Sequence, residues 1–343
     1  MEKKKVLLIL ETRNDIISYF KGNLENLGFE VATYPDAQYE PYELSTYDKV
    51  KNILLTALGI ANKSLEKKKE DHRQSFAEQI VDDPLKKNYD VTIIFRPDLL
   101  ENSFLENIKS ISAKMIAYQW DGIDRYPAIL EKIAIFDDFF CFNPEDVAEN
   151  IKFLPNFYFD HLNILPEKSK YGITYIGYYY NDRFELLEKM GSSLKNVKLN
   201  FLLRPFTDEQ FLKIKKSKNI QHIKQIYSYK KLLSISNKSD VLLDIKHPAH
   251  SGLSFRFFEG MLLQKKIITT NDSVVNYDFY NPKNVMILKD NHIEEEFRAF
   301  LAQPYQPLEM NILKKYSFSN WFDNLINAEK KISFETPLNK TAK

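Results

Sequence analysis

The chain has 343 residues, more than one ordinary hydrophobic core holds and enough for two α/β domains. Forty-eight Lys and Arg against 47 Asp and Glu leave a net charge of +1, so no global charge steers the molecule toward nucleic acid. One cysteine, Cys141, excludes an internal disulfide framework and a cysteine-centred zinc site, and fits a reducing, cytoplasmic compartment.

The first apolar run, Val6–Leu10, is closed at once by Glu11, so it reads as a buried strand and not as a signal sequence. A helical stretch follows near Asn14–Leu27 and ends at Gly28, then a strand over Phe29–Tyr34. Residues 45–88 read as a helix-rich insertion whose Lys67–Lys69 run is a solvated face. Tyr89–Phe95 and Ala113–Tyr118 are buried strands on either side of a helix over Glu101–Ser112. Phe139–Phe142 is the last strand of this half, with Asn143 as the cap of a helix containing Val147. The pattern breaks at Leu154-Pro155-Asn156 and restarts after about Tyr171, which marks a linker.

The second half repeats the alternation. Strands are expected at Gly172–Gly177, Val197–Leu203, Ile220–Ile226, Asp240–Ile245, Lys266–Thr270 and Val285–Leu288. Helices are expected at Arg183–Met190, Thr207–Ser217, Tyr229–Ser236 and Gly252–Gln264, with a terminal one from Ser317 to about Lys331. Strands alternating with helices of this length predict parallel sheets with right-handed crossovers. The fold class is therefore α/β: two Rossmann-like domains facing a cleft, residues 1–155 and 170–310, followed by a terminal piece over 311–333.

The segment most able to carry chemistry is SDVLLDIKHPAHSGLSFRFFEGMLLQKKIITTN, residues 239–271. Its loop, His247 to Gly252, lies between a parallel strand and a helix. Backbone N–H groups at a helix start form an anion site, and Gly252 permits close approach of a diphosphate. Ser251 or Ser254 can cap the helix. Arg256 and Glu259, three apart, share a helical face: Arg256 suits phosphate oxygens and Glu259 suits ribose hydroxyls, although the spacing fits a plain surface pair equally well. His247 and His250 lack the further ligands of a metal site and suit hydrogen bonds to phosphate or sugar, so no metal and no cofactor is expected. The chain has no G-x-x-x-x-G-K-[ST], no G-x-G-x-x-G after its first strand and no G-x-S-x-G, which opposes an NTPase, a dehydrogenase and an α/β-hydrolase.

In the first half, QWDGIDRYP places Asp121 just past a strand, where a carboxylate faces the crevice and can act as a general base. Asp124 is the second candidate. Arg125 suits an anionic acceptor, Trp120 and Tyr126 suit sugar rings, and Glu11 is a further crevice-facing carboxylate. Equally, Trp120 fits a core and Asp121-Gly122 a simple turn.

The run D-I-K-H-P-x-H-S-G-L-S-x-R-x-x-E-x-x-x-x-x-K-K-x-I-T-T-N resembles the donor-binding block of GT-B glycosyltransferases. It is most similar to the bacterial lipopolysaccharide-core and capsule family that includes the core rhamnosyltransferase. The resemblance extends to Gln119–Pro127, Phe136-Asp137, Leu154-Pro155-Asn156, Gly177 with Arg183, and Tyr277–Tyr280, and so covers roughly residues 89–290. It implies a GT-B fold whose amino domain binds the acceptor and whose terminal helix crosses back onto it. It also implies a nucleotide-sugar donor and a saccharide or lipid-linked glycan acceptor, with possible peripheral contact with a membrane. Glu259 matches the ribose-binding glutamate and Arg256 the arginine one turn earlier. Gly177 and Arg183 match a phosphate-contacting loop, while Thr270 and Asn271 border the cleft. Arg204, ending a strand of the same domain, joins the expected donor site. Ser251 stands where many retaining members carry a second glutamate, which leaves inversion open. A non-catalytic nucleotide-sugar-binding subunit and a nucleotide-sugar epimerase are the alternatives.

Overall fold

The computed structural model describes residues 3–10, 15–34, 44–57, 88–289 and 294–327, with isolated residues between 64 and 72 and between 334 and 337. Two six-stranded parallel sheets with flanking helices account for most of it. The chain is α/β throughout, with two Rossmann-like domains, as its alternation of elements predicts.

The first sheet contains β1 (Lys5–Ile9), β2 (Glu30–Tyr34), β3 (Val91–Phe95), β4 (Met115–Gln119), β5 (Asp138–Cys141) and β6 (Lys152–Phe153), ordered β2-β1-β3-β4-β5-β6. β3 and β4 are buried at every position, the mark of strands covered on both faces. Helix α1 (Ile16–Asn26) follows β1, α2 (Thr46–Ala57) lies within the expected insertion, and α3 (Asn102–Ser110) joins β3 to β4. Most of the rest of the insertion lies outside the described residues, as do Glu11 and Lys69. β6 is a difference from the sequence reading. Its two residues, just ahead of the expected break at Leu154, pair with β5 where no strand was expected, because Phe153 is apolar enough to bury beside Cys141.

The second sheet contains β7 (Tyr171–Tyr178), β8 (Leu199–Arg204), β9 (Ile220–His222), β10 (Ser239–Asp244), β11 (Lys266–Thr269) and β12 (Val285–Ile287). Its order, β9-β8-β7-β10-β11-β12, is the doubly wound 3-2-1-4-5-6 arrangement. Helices α4 (Asn181–Ser193), α5 (Asp208–Lys216), α6 (Tyr229–Asn237) and α7 (Phe255–Leu263) make the crossovers, and α8 (Glu294–Ala302) and α9 (Met310–Lys315) follow the sheet. α7 starts three residues later than its sequence predicts. Ser254 is the residue that caps it, accepting from the Arg256 N–H at 3.3 Å, and 245–254 is an irregular loop.

The last helix, α10 (Phe318–Ile326), lies on the first sheet. Phe318, Trp321, Phe322 and Leu325 recur at helical spacing and are all buried. Trp321 packs against Phe95, Tyr118 and Phe157, with ring centroids 5.9, 5.1 and 4.5 Å away. One apolar core thus runs from β1 and β3 through Phe157, Phe159 and α10 into Leu253, Phe257 and Phe258.

Candidate active site

Ligands of doubly wound sheets bind outside the carboxyl ends of the strands, where the order reverses. In the second sheet that point lies between β7 and β10. A cavity of about 340 Å³ opens there, lined by Ile176, Gly177 and Tyr178 of β7, Arg204 of β8, and Gln225 and Tyr227 of the loop after β9. Ser254, Arg256 and Glu259 of the α7 entry close its other wall.

Glu259 is the only carboxylate on that wall. Burial raises its pKa from 4.5 to about 7, against a smaller opposing pull from Arg256. The buried Tyr229 hydroxyl sits beside it, short of hydrogen-bond geometry. Arg204 brings the complementary group: one guanidinium nitrogen, Nη1, is buried with no partner. A buried unpaired donor is costly in the free protein, and an anionic or carbonyl ligand would relieve it. A β-carbon on Gly177 would meet the Tyr175 hydroxyl at 2.6 Å, so a larger residue at this strand end would push the buried Tyr175 ring aside.

Arg256 points elsewhere than the sequence suggests. Its guanidinium donates to the Ile176 carbonyl at 2.7 Å, meets Asp244 at 3.5 Å and lies 5.2 Å over the Tyr175 ring. Arg256 and Glu259 are therefore not a simple surface pair. Asp244, buried at the end of β10, also accepts from Ser254 at 2.6 Å and Thr269 at 2.9 Å. It ties the start of α7 to the sheet, a role the sequence reading missed although Asp244 opens the motif.

The loop from His247 to Gly252 lies against the other domain. The backbone N–H groups of Ser251 and Gly252, expected to face a diphosphate, both donate to Asn143 Oδ1 at 3.1 Å, and so does the Ser251 hydroxyl. Asn143 makes no side-chain cap for the 3-10 turn Pro144–Asp146, correcting its expected place at the head of a helix. Asn271 holds the loop from behind, donating to the Ser251 carbonyl at 2.9 Å, and the Thr270 hydroxyl accepts from the Lys246 N–H at 2.8 Å. A β-carbon on Gly252 would meet the Phe142 ring at 2.6 Å, and one on Gly122 would meet the Ala249 carbonyl oxygen at 2.5 Å.

Asp121 follows β4 and faces this loop. Its Oδ2 accepts from Arg96 at 3.1 Å and Arg125 at 3.0 Å, while Oδ1 accepts the Gly122 N–H at 3.0 Å. Arg96, held at φ 54° by Asp98 and Asp121, was not anticipated from the sequence. It shares the Tyr126 ring with Arg125, at 4.3 and 5.2 Å from the centroid, so Tyr126 has guanidinium contacts where a sugar platform was expected. Asp124 is exposed one turn away. Trp120 donates to Asn156 at 2.7 Å and packs on Phe20, Phe95 and Phe255, a packing role; Asn156 in turn donates to the Leu253 carbonyl at 2.9 Å.

His247 and His250 stack with centroids 5.6 Å apart, between Asp121 and Tyr180, whose ring carries Arg183 at 4.7 Å. Burial, with Arg125 and Arg183 nearby, lowers the His247 pKa; burial does the same to His250. Both rings are therefore neutral at pH 7. Among the described residues no three His, Cys, Asp or Glu side chains form a group able to hold a metal ion. The structure thus gathers Gly177, Arg204, Arg256 and Glu259 in one cavity, and His247, His250, Asp121 and Arg125 beside it with Arg183.

No family model matches the sequence, and no curated protein matches it significantly. Solved structures do. A glycosyltransferase involved in avilamycin A biosynthesis, AviGT4, is 9% identical with a TM-score of 0.49, over 95% of this chain and 98% of that one. T4 phage BGT, in complex with its UDP-glucose substrate, is 13% identical with a TM-score of 0.47, over 95% and 100%. The UDP-GlcNAc 2-epimerase of Methanocaldococcus jannaschii is 12% identical with a TM-score of 0.43, over 90% and 98%. Each match runs through both domains of this chain.

Proposed function

We propose that this protein is a glycosyltransferase that moves a sugar from a nucleoside diphosphate sugar to a saccharide or lipid-linked glycan, in the assembly of a bacterial surface polysaccharide. The observation that carries the reading is the cavity at the β7–β10 reversal. It offers one carboxylate, Glu259, and one buried unpaired guanidinium nitrogen, on Arg204. Ribose hydroxyls donate to a carboxylate, and diphosphate oxygens accept from a guanidinium. Gly177 lets the backbone approach the phosphates, and Arg183 and the start of α7 meet the charge of the leaving diphosphate. This arrangement works without a bound metal.

The sugar then lies toward the seam, next to the neutral His247 and His250 and across from Asp121. In an inverting transfer, Asp121 takes the proton of the acceptor hydroxyl as the new bond forms. Its Oδ2 is engaged by Arg96 and Arg125, and Oδ1, which accepts the Gly122 N–H, uses its second lone pair on the acceptor hydroxyl.

Calorimetric titration with nucleoside diphosphates tests the donor site: Glu259→Ala should weaken binding at least tenfold, whereas Asp121→Asn should cut turnover and leave that affinity intact. Unchanged affinity in the Glu259 variant would sink the assignment. Donor hydrolysis without acceptor separates an enzyme from a non-catalytic subunit, and a 2-epimer among the products would identify an epimerase instead.

A further inference from the structure

Tyr229, the first residue of α6, is 2% exposed, and its hydroxyl is buried without a hydrogen-bond partner. Packing does not require that hydroxyl. The ring lies edge-on to Tyr19, Phe159 and Phe255, with centroids 4.9, 5.6 and 6.4 Å away, and a phenylalanine would fill the same place. An unpaired hydroxyl kept out of water is costly, so the tyrosine points to a second state in which it is paired.

The partner within reach is the Glu259 carboxylate. α6 packs on α7, and the two groups shift each other's titration without meeting hydrogen-bond geometry. Arg256, three residues before Glu259, is engaged by the Ile176 carbonyl and Asp244, which leaves Tyr229 as the donor at hand. Tyr229 is itself pinned. Its backbone N–H donates to Asp15 Oδ1 at 2.5 Å, and Asp15 and Tyr19 both belong to the start of α1 in the first domain. Ser228 fixes the same turn, accepting from the Lys231 N–H at 3.2 Å. With backbone and ring held, the adjustment belongs to the longer Glu259 side chain on the cavity wall.

We propose that Tyr229 is a positioning residue for the donor's ribose, and that it makes the site selective for ribonucleotides over 2′-deoxyribonucleotides. When the 2′- and 3′-hydroxyls donate to Glu259, the ionised carboxylate turns another lone pair onto the Tyr229 O–H, which fixes the plane in which both ribose hydroxyls are met. A 2′-deoxyribose leaves one side of that fixed carboxylate unpaired, the costly outcome for a polar group out of water. The inference rests on the proposed reading of the cavity as a donor site.

Calorimetric titration of the full chain with UDP, CDP, ADP and GDP, and with their 2′-deoxy counterparts, tests it. The best-bound ribonucleotide should exceed its 2′-deoxy form by about tenfold or more. Tyr229→Phe keeps the ring and should weaken that ribonucleotide about tenfold, bringing the two forms to within about threefold of each other. Adding Tyr229→Phe to Glu259→Ala should cost nothing further, since the hydroxyl acts only through the carboxylate. The urea midpoint of nucleotide-free Tyr229→Phe should not fall, because the hydroxyl makes no bond there, whereas a structural tyrosine would lower it. Equal affinity for ribose and 2′-deoxyribose forms, or a Tyr229→Phe chain that binds as the parent does, overturns the inference and leaves the donor site standing. Binding of none of the eight diphosphates rejects the donor reading itself, and the inference with it.

Discussion

A carboxylic acid whose pKa sits near 7 is a titrating group under ordinary conditions, and Glu259 is the one such acid in the cavity at the β7–β10 reversal. Its folded pKa is raised above the unfolded value of 4.5. Its contribution to stability is therefore full below about pH 4.5 and is lost as pH climbs through about 7. Glu259→Gln removes that loss, so the variant should gain up to about 3 kcal/mol of stability at pH 8 and almost none at pH 4.5, measured by urea unfolding. Ribose hydroxyls favour the ionised carboxylate, so nucleotide binding releases a proton and tightens between pH 6 and 8. Calorimetry in buffers of different ionisation heat would detect that proton, and the glutamine variant should show neither the proton nor the pH slope. The sequence named Glu259 and Arg256 by spacing and resemblance, but not their difference. Both line the cavity, but the Arg256 guanidinium is spent on Ile176 and Asp244, a distinction made by the strands packed beneath them.

At the scale of elements, the strands and crossover helices were legible because apolar runs, caps and glycines mark them locally. The contacts between loops were not. Asn143, in a short Asn-Pro turn, reads as a helix cap, yet its side chain meets three donors 108 or 109 residues further on. No local pattern encodes such a pairing. Asn143→Ala would leave two buried N–H groups and a hydroxyl without their acceptor, which should cost about 2–4 kcal/mol in an unfolding titration. Gly122→Ala drives a methyl group against a backbone oxygen and should part the Asp121 loop from the His247–Gly252 loop. Small-angle scattering should then show a larger radius of gyration than in the parent chain, whereas Asn143→Asp, which keeps an acceptor oxygen in the same place, should retain most of the stability lost in the alanine variant.

The whole molecule is joined by more than its linker. Trp321 is buried in the first sheet's layer although it lies beyond the second domain in sequence, and the apolar core around it extends to Phe257 and Phe258. Trp321→Ala should cost about 3–5 kcal/mol. Calorimetry should record a single unfolding transition in the parent chain, because the core spans both sheets, and two separated transitions in this variant. The terminal helix was expected from the sequence to begin at Ser317; the rings it packs on became visible only with the order of the strands.

Cys141 ends β5 beside the Asn143 turn, and its thiol donates to the Asn143 carbonyl at 3.2 Å. Burial pushes the thiol pKa far above its ordinary value, so the native chain holds it as an unreactive acid. Since the protein has one cysteine, a thiol reagent has a single target, and that target lies under the seam. Labelling then runs as a clock on the excursions that lift the Asn143 turn away from Gly252. A nucleotide that draws the two domains together should slow that clock, and Asn143→Ala should speed it.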